Sequence, residues 1–263
     1  MSHPLAEDIH QLTEGDGQDP DTERAVFERF IEALDAGEIR AAERTEDGDW
    51  QVNSWVKEGI LLGFRLGEII DMSGDALPFF DKDTYPVKEL SEHDGIRLVP
   101  GGSSIRRGAS VASGVICMPP MYVNVGAHVE TDTMVDSHAL VGSCAQIGKR
   151  VHLSAATQVG GVLEPVRALP VIVEDDVFVG GGCGIYEGCL VRKGAVLGSG
   201  VTLTRSTRVY DLPNESIIEA DENGVLEVPP YAVVVPGSRR VEGSFAQKHG
   251  LSLHTPIIVK YRD

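Results

Sequence analysis

Long apolar runs are missing from this 263-residue chain, and none approaches the roughly 20 residues that a membrane-spanning helix needs. Residues 1–20 are polar and acidic, unlike a secretory signal peptide. Hydrophobic residues still make up 42% of the chain, which is enough for a sizeable core. The sequence therefore predicts a globular cytoplasmic protein with no membrane partner.

Cysteine is scarce and shows no paired spacing. The four cysteines are Cys117, Cys144, Cys183 and Cys189; no two of them form a CxxC motif, and their spacing matches no common zinc module. We expect them to be small buried side chains in a reducing compartment.

Basic residues are in the minority, with 23 Lys and Arg against 40 Asp and Glu, for a net charge of −17. Such a surface repels nucleic acid and anionic membranes, so we expect neither as a partner. A site for an anionic ligand would have to supply positive charge locally. The compact basic cluster Gly237–Arg240 makes Arg239 a candidate phosphate contact, and a solvated turn is the alternative.

Helical spacing of apolar residues is confined to the first part of the chain. Residues 1–20 show no apolar periodicity, which predicts a flexible tail. Asp21–Gly37 and Asn53–Leu66 approach a period of 3.6 and predict two helices, within a helical N-terminal domain spanning residues 21–100. Near its end, Arg97 lies between apolar neighbours in a strand-like segment. It is either a surface charge on an edge strand or a guanidinium held for a carboxylate.

A six-residue repeat begins at Ile105. A small or aliphatic apolar residue recurs every six positions as far as Val159, and the pattern resumes out of phase from Val173 to Val209. This period fits neither a helix nor a simple alternating strand, and it is typical of short strands joined by tight corners, three to a triangular coil. The sequence predicts a mainly β protein: a parallel β-helix over residues 101–210, an inserted loop near 164–171, and a small C-terminal strand segment at 211–263.

Enzymes built on hexapeptide solenoids are usually trimers that transfer acyl groups from coenzyme A, and this analogy sets an expectation only. Such transfer needs a group that takes a proton from the attacking amine. Asp136 directly follows Val135, which should point inwards, so Asp136 should project from a coil wall and is the first candidate. Other candidates are Glu187 and the outward-facing histidines His128, His138 and His152. The histidine spacings do not place them on one face, so we expect no metal site.

The segment MVDSHALVGSCAQIGKRVHLS, followed by GGVLEP, ends at Pro165. Together with Gly95–Pro100, Trp50–Arg65 and shorter matches, it resembles the tetrahydrodipicolinate N-succinyltransferases of bacterial lysine and diaminopimelate biosynthesis, over about residues 23–263. The resemblance implies a left-handed solenoid and a homotrimer with sites between subunits. It also implies succinyl transfer from succinyl-CoA to tetrahydrodipicolinate, whose open-chain form is 2-amino-6-oxopimelate.

The resemblance also implies roles for individual residues. Asp136 matches the family aspartate that handles the proton and the amine, and Arg97 matches the arginine that binds a substrate carboxylate. Our full set of candidates is Asp136 and Glu187 for catalysis, Arg97, Asp136 and His138 for the substrate, and Gly160, Gly161, Arg205 and Arg239 for the cofactor.

Two positions depart from the family pattern. Gly184 stands where a glutamate usually partners the aspartate, and His138 stands where the family has tryptophan. Glu187, a bound water or a histidine are the candidates to replace that glutamate. The alternatives are therefore an N-acetyltransferase that uses acetyl-CoA on the same acceptor, another hexapeptide acyltransferase, or a non-catalytic solenoid.

Overall fold

The computed structural model describes residues 3–14, 19–74 and 77–263. The N-terminal part contains helices α1 (Pro4–Glu14), α2 (Pro20–Ala36) and α3 (Ser54–Leu66). It also contains two short antiparallel hairpins, formed by β1 (Ala42–Arg44) with β2 (Trp50–Val52) and by β3 (Ile69–Asp71) with β4 (Phe80–Lys82).

The flexible tail predicted for residues 1–20 is wrong where the structure describes it. Helix α1 occupies Pro4–Glu14 and packs on the other two helices. Leu5, Ile9 and Leu12 are buried in the N-terminal core, because their spacing of three and four residues places them on one helical face. Residues 1, 2 and 15–18 lie outside the described residues.

Both helices predicted from the 3.6-residue period are confirmed. Helix α2 begins after Asp19, whose carboxylate accepts the backbone N–H of Thr22, and Pro20 occupies the first turn, where a missing N–H costs nothing. It ends at Gly37, whose φ of 77° provides the left-handed cap.

The six-residue repeat forms a left-handed parallel β-helix of very short strands, as the spacing and the resemblance predicted. Its strands are β5 (Arg97–Leu98), β6 (Ser104–Ile105), β7 (Ser110–Val111), β8 (Ile116–Cys117), β9 (Tyr122–Val123), β10 (His128–Val129), β11 (Met134–Val135), β12 (Leu140–Val141), β13 (Gln146–Ile147), β14 (His152–Leu153), β15 (Gln158–Val159), β16 (Ile172–Val173), β17 (Phe178–Val179), β18 (Gly184–Ile185), β19 (Cys189–Val191), β20 (Val196–Leu197) and β21 (Thr202–Leu203).

Every third strand joins the same sheet, so three sheets form the walls of a prism. The first sheet has the order β7-β10-β13-β16-β19, the second β5-β8-β11-β14-β17-β20, and the third β6-β9-β12-β15-β18-β21. Met134 pairs with His152, 18 residues on, whereas Gln158 pairs with Gly184, 26 residues on. The eight extra residues are the inserted loop, and they account for the change of phase in the repeat.

The C-terminal segment closes the last coils and extends the second sheet. It consists of β22 (Val209–Asp211), β23 (Ser216–Ile218), β24 (Leu226–Val228), β25 (Ala232–Arg240), α4 (Ser244–His249) and β26 (Ser252–Tyr261). Strand β24 joins the first sheet, and β25 joins the second beside β20 and forms a long antiparallel hairpin with β26. No helix in the described ranges is long and apolar enough to cross a membrane.

The inward residues of the repeat form the main core, and the N-terminal domain covers the outer face of the first sheet. Outward side chains of that sheet, His128, Gln146, Ile172 and Leu190, are buried. On the second sheet, by contrast, Phe178 is 43% exposed. The outer faces of the second and third sheets are therefore the walls open to a ligand or another subunit.

A buried carboxylate fastens the N-terminal domain to the first sheet. Glu174 is 4% exposed and accepts the indole N–H of Trp50 at 3.0 Å. Its oxygens also lie 2.7 Å from Arg44 and 3.2 Å from Arg192, and they accept the backbone N–H of Lys193. Guanidinium and indole groups from both parts of the chain thus converge on a single side chain.

His128 makes stability depend on pH. It is 9% exposed, and burial together with nearby Arg40 lowers its pKa to about 4 from an ordinary value near 6.5. The unfolded chain therefore takes up a proton at a pH where the folded chain does not. The free energy of unfolding should fall by roughly 2 kcal/mol between pH 7 and pH 5, measured by urea denaturation. His128→Gln should flatten this dependence; an unchanged slope would contradict the assignment.

Candidate active site

Asp136 lies where the second sheet turns into the third. Its backbone N–H donates to Leu153 in the next coil at 3.0 Å, which holds the residue directly after β11. One carboxylate oxygen accepts the N–H of Ser137 at 2.7 Å. The side chain is half-buried, so the other oxygen remains available to a ligand at this corner. This geometry suits a carboxylate that takes a proton from an amine.

Arg97 lies on the same sheet as Asp136. It pairs with Ile116, which in turn pairs with Met134, so Arg97 is two strands from the aspartate's strand, or about 10 Å. Its side chain is exposed and has neither a hydrogen bond nor an ion pair among the described residues. A free guanidinium at that distance can reach a carboxylate of a small substrate held at the Asp136 corner.

His138 is exposed at the same corner as Asp136, with a left-handed backbone φ of 62°. Its N–H donates to the carbonyl of Pro120 at 2.6 Å, and its own carbonyl accepts the side-chain amide of Gln158 at 3.3 Å. Asp136 and His138 thus share one edge of the prism, and Arg97, the third predicted substrate contact, lies about 10 Å away on the adjoining second sheet.

Glu187 lies at a different corner, where the third sheet turns into the first. It stacks between Gly161 and Arg205, because the pairings of Gly184 with Gln158 and Thr202 place these three residues above one another. The backbone N–H of Arg205 donates to the Glu187 carbonyl at 3.0 Å. Within this chain the third sheet separates Glu187 from Asp136, so the two predicted catalytic carboxylates do not face each other.

Gly160 directly follows strand β15 of the third sheet, and Gly161 comes next, at the corner with the first sheet. A Cβ on Gly161 would lie 2.7 Å from the backbone nitrogen of Ser143, so the coils pack backbone to backbone here. The resulting wall carries little side-chain bulk, which fits an extended ligand arm.

Arg239 borders a pocket of about 510 Å³ together with Arg208, His254 and several hydroxyl side chains. Arg208 is itself paired with Glu219 at 2.5 Å. The sequence alone does not single out Arg208 or His254, because strand pairing in the C-terminal segment brings them beside Arg239 from distant parts of the chain. Arg205 does not border this pocket.

A family model described as "Tetrahydrodipicolinate N-succinyltransferase N-terminal" matches residues 6–66, and one described as "Hexapeptide repeat of succinyl-transferase" matches residues 170–205. Curated relatives named 2,3,4,5-tetrahydropyridine-2,6-dicarboxylate N-succinyltransferase include that of Bartonella bacilliformis, which is 43% identical over 91% of this chain and 84% of the relative. The chain belongs to this succinyltransferase family.

Two further family members support the assignment. That of Rhodopseudomonas palustris is 45% identical over 91% of this chain and 85% of its own length, and that of Bradyrhizobium diazoefficiens is 45% identical over 82% and 76%. The resemblance inferred from MVDSHALVGSCAQIGKRVHLS and GGVLEP is therefore confirmed, and the similarity extends through the helical domain as well as the solenoid.

The glycine that departs from the family pattern is covered by a neighbouring aromatic ring. A Cβ on Gly184 would lie 2.5 Å from Cε2 of Tyr186 and 3.0 Å from its hydroxyl oxygen. A glutamate at position 184 would therefore displace this ring. The sequence signal that could have identified Tyr186 is an outward-facing glycine two residues before a tyrosine.

The inserted loop is fastened to the N-terminal domain. Lys57 of α3 is fully buried, and its ammonium group donates to the carbonyl of Ala168 at 2.6 Å. Burial lowers the pKa of Lys57. Leu163 packs against the N-terminal core at the other end of the loop. The helical domain thus sets the position of the segment that follows Gly160 and Gly161.

Proposed function

We propose that the protein is a coenzyme A-dependent N-acyltransferase that transfers succinyl from succinyl-CoA to tetrahydrodipicolinate in its open-chain form. The observation that carries the proposal is the similarity to succinyltransferases, at 42–45% identity over most of the chain. The available carboxylate of Asp136 and the free guanidinium of Arg97, about 10 Å apart along the second sheet, support it, because the acceptor offers an amine and two carboxylates.

In the proposed reaction the acceptor amine attacks the thioester carbon. A C–N bond forms, the C–S bond breaks, and coenzyme A leaves as a thiol. Asp136 takes the proton that the amine loses, since its unoccupied oxygen faces the corner. Arg97 binds a carboxylate of the acceptor, and His138 forms part of the pocket wall.

The cofactor would extend along the third sheet. Gly160 and Gly161 provide a wall with little bulk for the pantetheine arm, and Arg205 is exposed at the adjoining corner. In the pocket lined by Arg208, Arg239 and His254, the guanidinium of Arg239 provides local positive charge for phosphate groups in a chain of net charge −17.

A homotrimer would complete the site. The chain's own N-terminal domain leaves the outer faces of the second and third sheets largely open. Phe178 is exposed on the second sheet. Asp136 and Glu187 occupy different corners, so a carboxylate from another subunit could face Asp136 only across an interface. Sedimentation of the protein in solution tests the assembly; a monomer would contradict it.

The activity is tested by incubating the protein with tetrahydrodipicolinate and either succinyl-CoA or acetyl-CoA, and by following the release of free thiol. We expect rapid release with succinyl-CoA and little with acetyl-CoA. The reverse preference would establish the acetyltransferase alternative, which the glycine at position 184 keeps open. No release with either donor would favour a non-catalytic solenoid.

A further inference from the structure

The ring of Tyr186 lies flat against the backbone of the third sheet. It covers Gly184, and a Cβ on Gly160 of the adjacent strand would lie 3.1 Å from the same ring. The ring therefore occupies the space above two neighbouring strands that carry no side chain there. Gly184 is buried in consequence, while Tyr186 itself remains half-exposed.

The position of the ring connects it with the Asp136 corner. Gly184 pairs directly with Gln158, about 4.8 Å away on the next strand. The side-chain amide of Gln158 in turn donates to the carbonyl of His138. The Tyr186 hydroxyl, which lies over Gly184, thus shares one surface patch with the residues that flank Asp136.

The hydroxyl of Tyr186 is free to bind a ligand. It has no hydrogen-bond partner within the described part of the chain, and its ring lies over two glycines, where no other side chain covers the strands. A tyrosine hydroxyl donates a hydrogen bond, whereas an ionised carboxylate only accepts one. This position therefore favours an oxygen anion, in a protein whose overall charge opposes anions.

We infer that Tyr186 is a specificity-determining residue whose hydroxyl donates a hydrogen bond to a carboxylate of the bound substrate. The inference rests on the proposed function. The carboxylate has two possible sources: the free end of the succinyl group, or the acceptor. A donor placed by a rigid ring selects the substrate that carries a carboxylate at the matching distance.

The test is Tyr186→Phe, which keeps the ring over Gly184 and removes only the hydroxyl. We expect the KM of one carboxylate-bearing substrate to rise about tenfold or more, because a hydrogen bond to a charged group is lost, with kcat little changed. A rise for succinyl-CoA assigns the bond to the succinyl group, and a rise for tetrahydrodipicolinate assigns it to the acceptor. Acetyl-CoA has no carboxylate on its acyl group. If the hydroxyl binds the succinyl carboxylate, the KM for acetyl-CoA should therefore be the same in Tyr186→Phe as in the wild type.

Two further variants separate the hydroxyl from the fold. Gly184→Ala adds a Cβ that displaces the ring and should raise the same KM. Tyr122→Phe removes a hydroxyl from the same sheet, three strands away, and should leave both KM values unchanged. Wild-type KM values in Tyr186→Phe would overturn the inference.

If the proposed function is wrong, the wild-type protein itself releases no thiol, and this result is distinct from a failure of the inference about Tyr186. Calorimetric titration with succinyl-CoA and with tetrahydrodipicolinate then decides the inference without turnover. Binding of one of them about tenfold weaker to Tyr186→Phe than to the wild type supports it. Equal affinities, or no binding by the wild type, overturn it.

Discussion

Asp136→Asn is expected to lower the turnover number by about 10²–10⁴-fold, the range over which a positioned acid–base group contributes to proton transfer. Asparagine has the shape of aspartate, and its side-chain oxygen can still accept the N–H of Ser137. It cannot take a proton from the amine at neutral pH. The loss should therefore appear in kcat, measured by thiol release, while the thermal midpoint and the assembly stay unchanged.

The matched control for Asp136→Asn is Asp132→Asn. Asp132 is an exposed carboxylate at a neighbouring corner of the same coil, and its left-handed φ of 59° is one that asparagine tolerates. This variant should keep wild-type turnover. Wild-type turnover in Asp136→Asn would remove Asp136 from the mechanism, and equal losses in both variants would point to the charge of the surface instead.

Glu174→Ala is expected to lower the free energy of unfolding by roughly 3 kcal/mol. Removing the buried carboxylate leaves the positive charges that surround it without their partner. The Trp50 indole would lose its acceptor beneath the N-terminal hairpin, and Arg192 would keep only its bond to Glu227. The change is measured as the free energy of unfolding in urea. Since Trp50 is one of two tryptophans, its fluorescence reports whether the hairpin detaches first.

Asp176→Asn is the control for Glu174→Ala. Asp176 pairs with Arg150 through two hydrogen bonds, and this guanidinium lowers the pKa of the carboxyl group, but the pair lies at the surface. Surface pairs contribute at most about 1 kcal/mol, so this variant should change stability little. Similar losses in both variants would contradict a special role for the buried carboxylate.

Local spacing was sufficient to predict the solenoid, because each hexad residue is buried by its own coil and the coils above and below. Val135 and Val141 point inwards in the structure as their six-residue spacing requires. The interruption before Val173 was also readable, since an insertion changes the phase of a strict repeat. The first helix was missed because Leu5, Ile9 and Leu12 are too few to stand out without the helices on which they pack.

Much of the site was less accessible to sequence reasoning, because its residues meet through stacking of coils. Arg97 and Asp136 are 39 positions apart along the chain, and the pairing of three strands of the second sheet places them about 10 Å from each other. Glu187 carries the chemistry expected of a catalytic group, but the pairing of its strand with the neighbouring coils places it at another corner. Only the register of the strands distinguishes these two cases.

The sequence by itself determined the solenoid, the family and the candidate aspartate, because a repeat and a long motif are properties of local order along the chain. Tertiary structure alone decided that the N-terminal domain covers the first sheet, that Asp136 and Glu187 lie apart, and that the ring of Tyr186 covers Gly184. These features depend on which side chains are brought together in space by coils and domains far apart in sequence. No periodicity encodes that proximity.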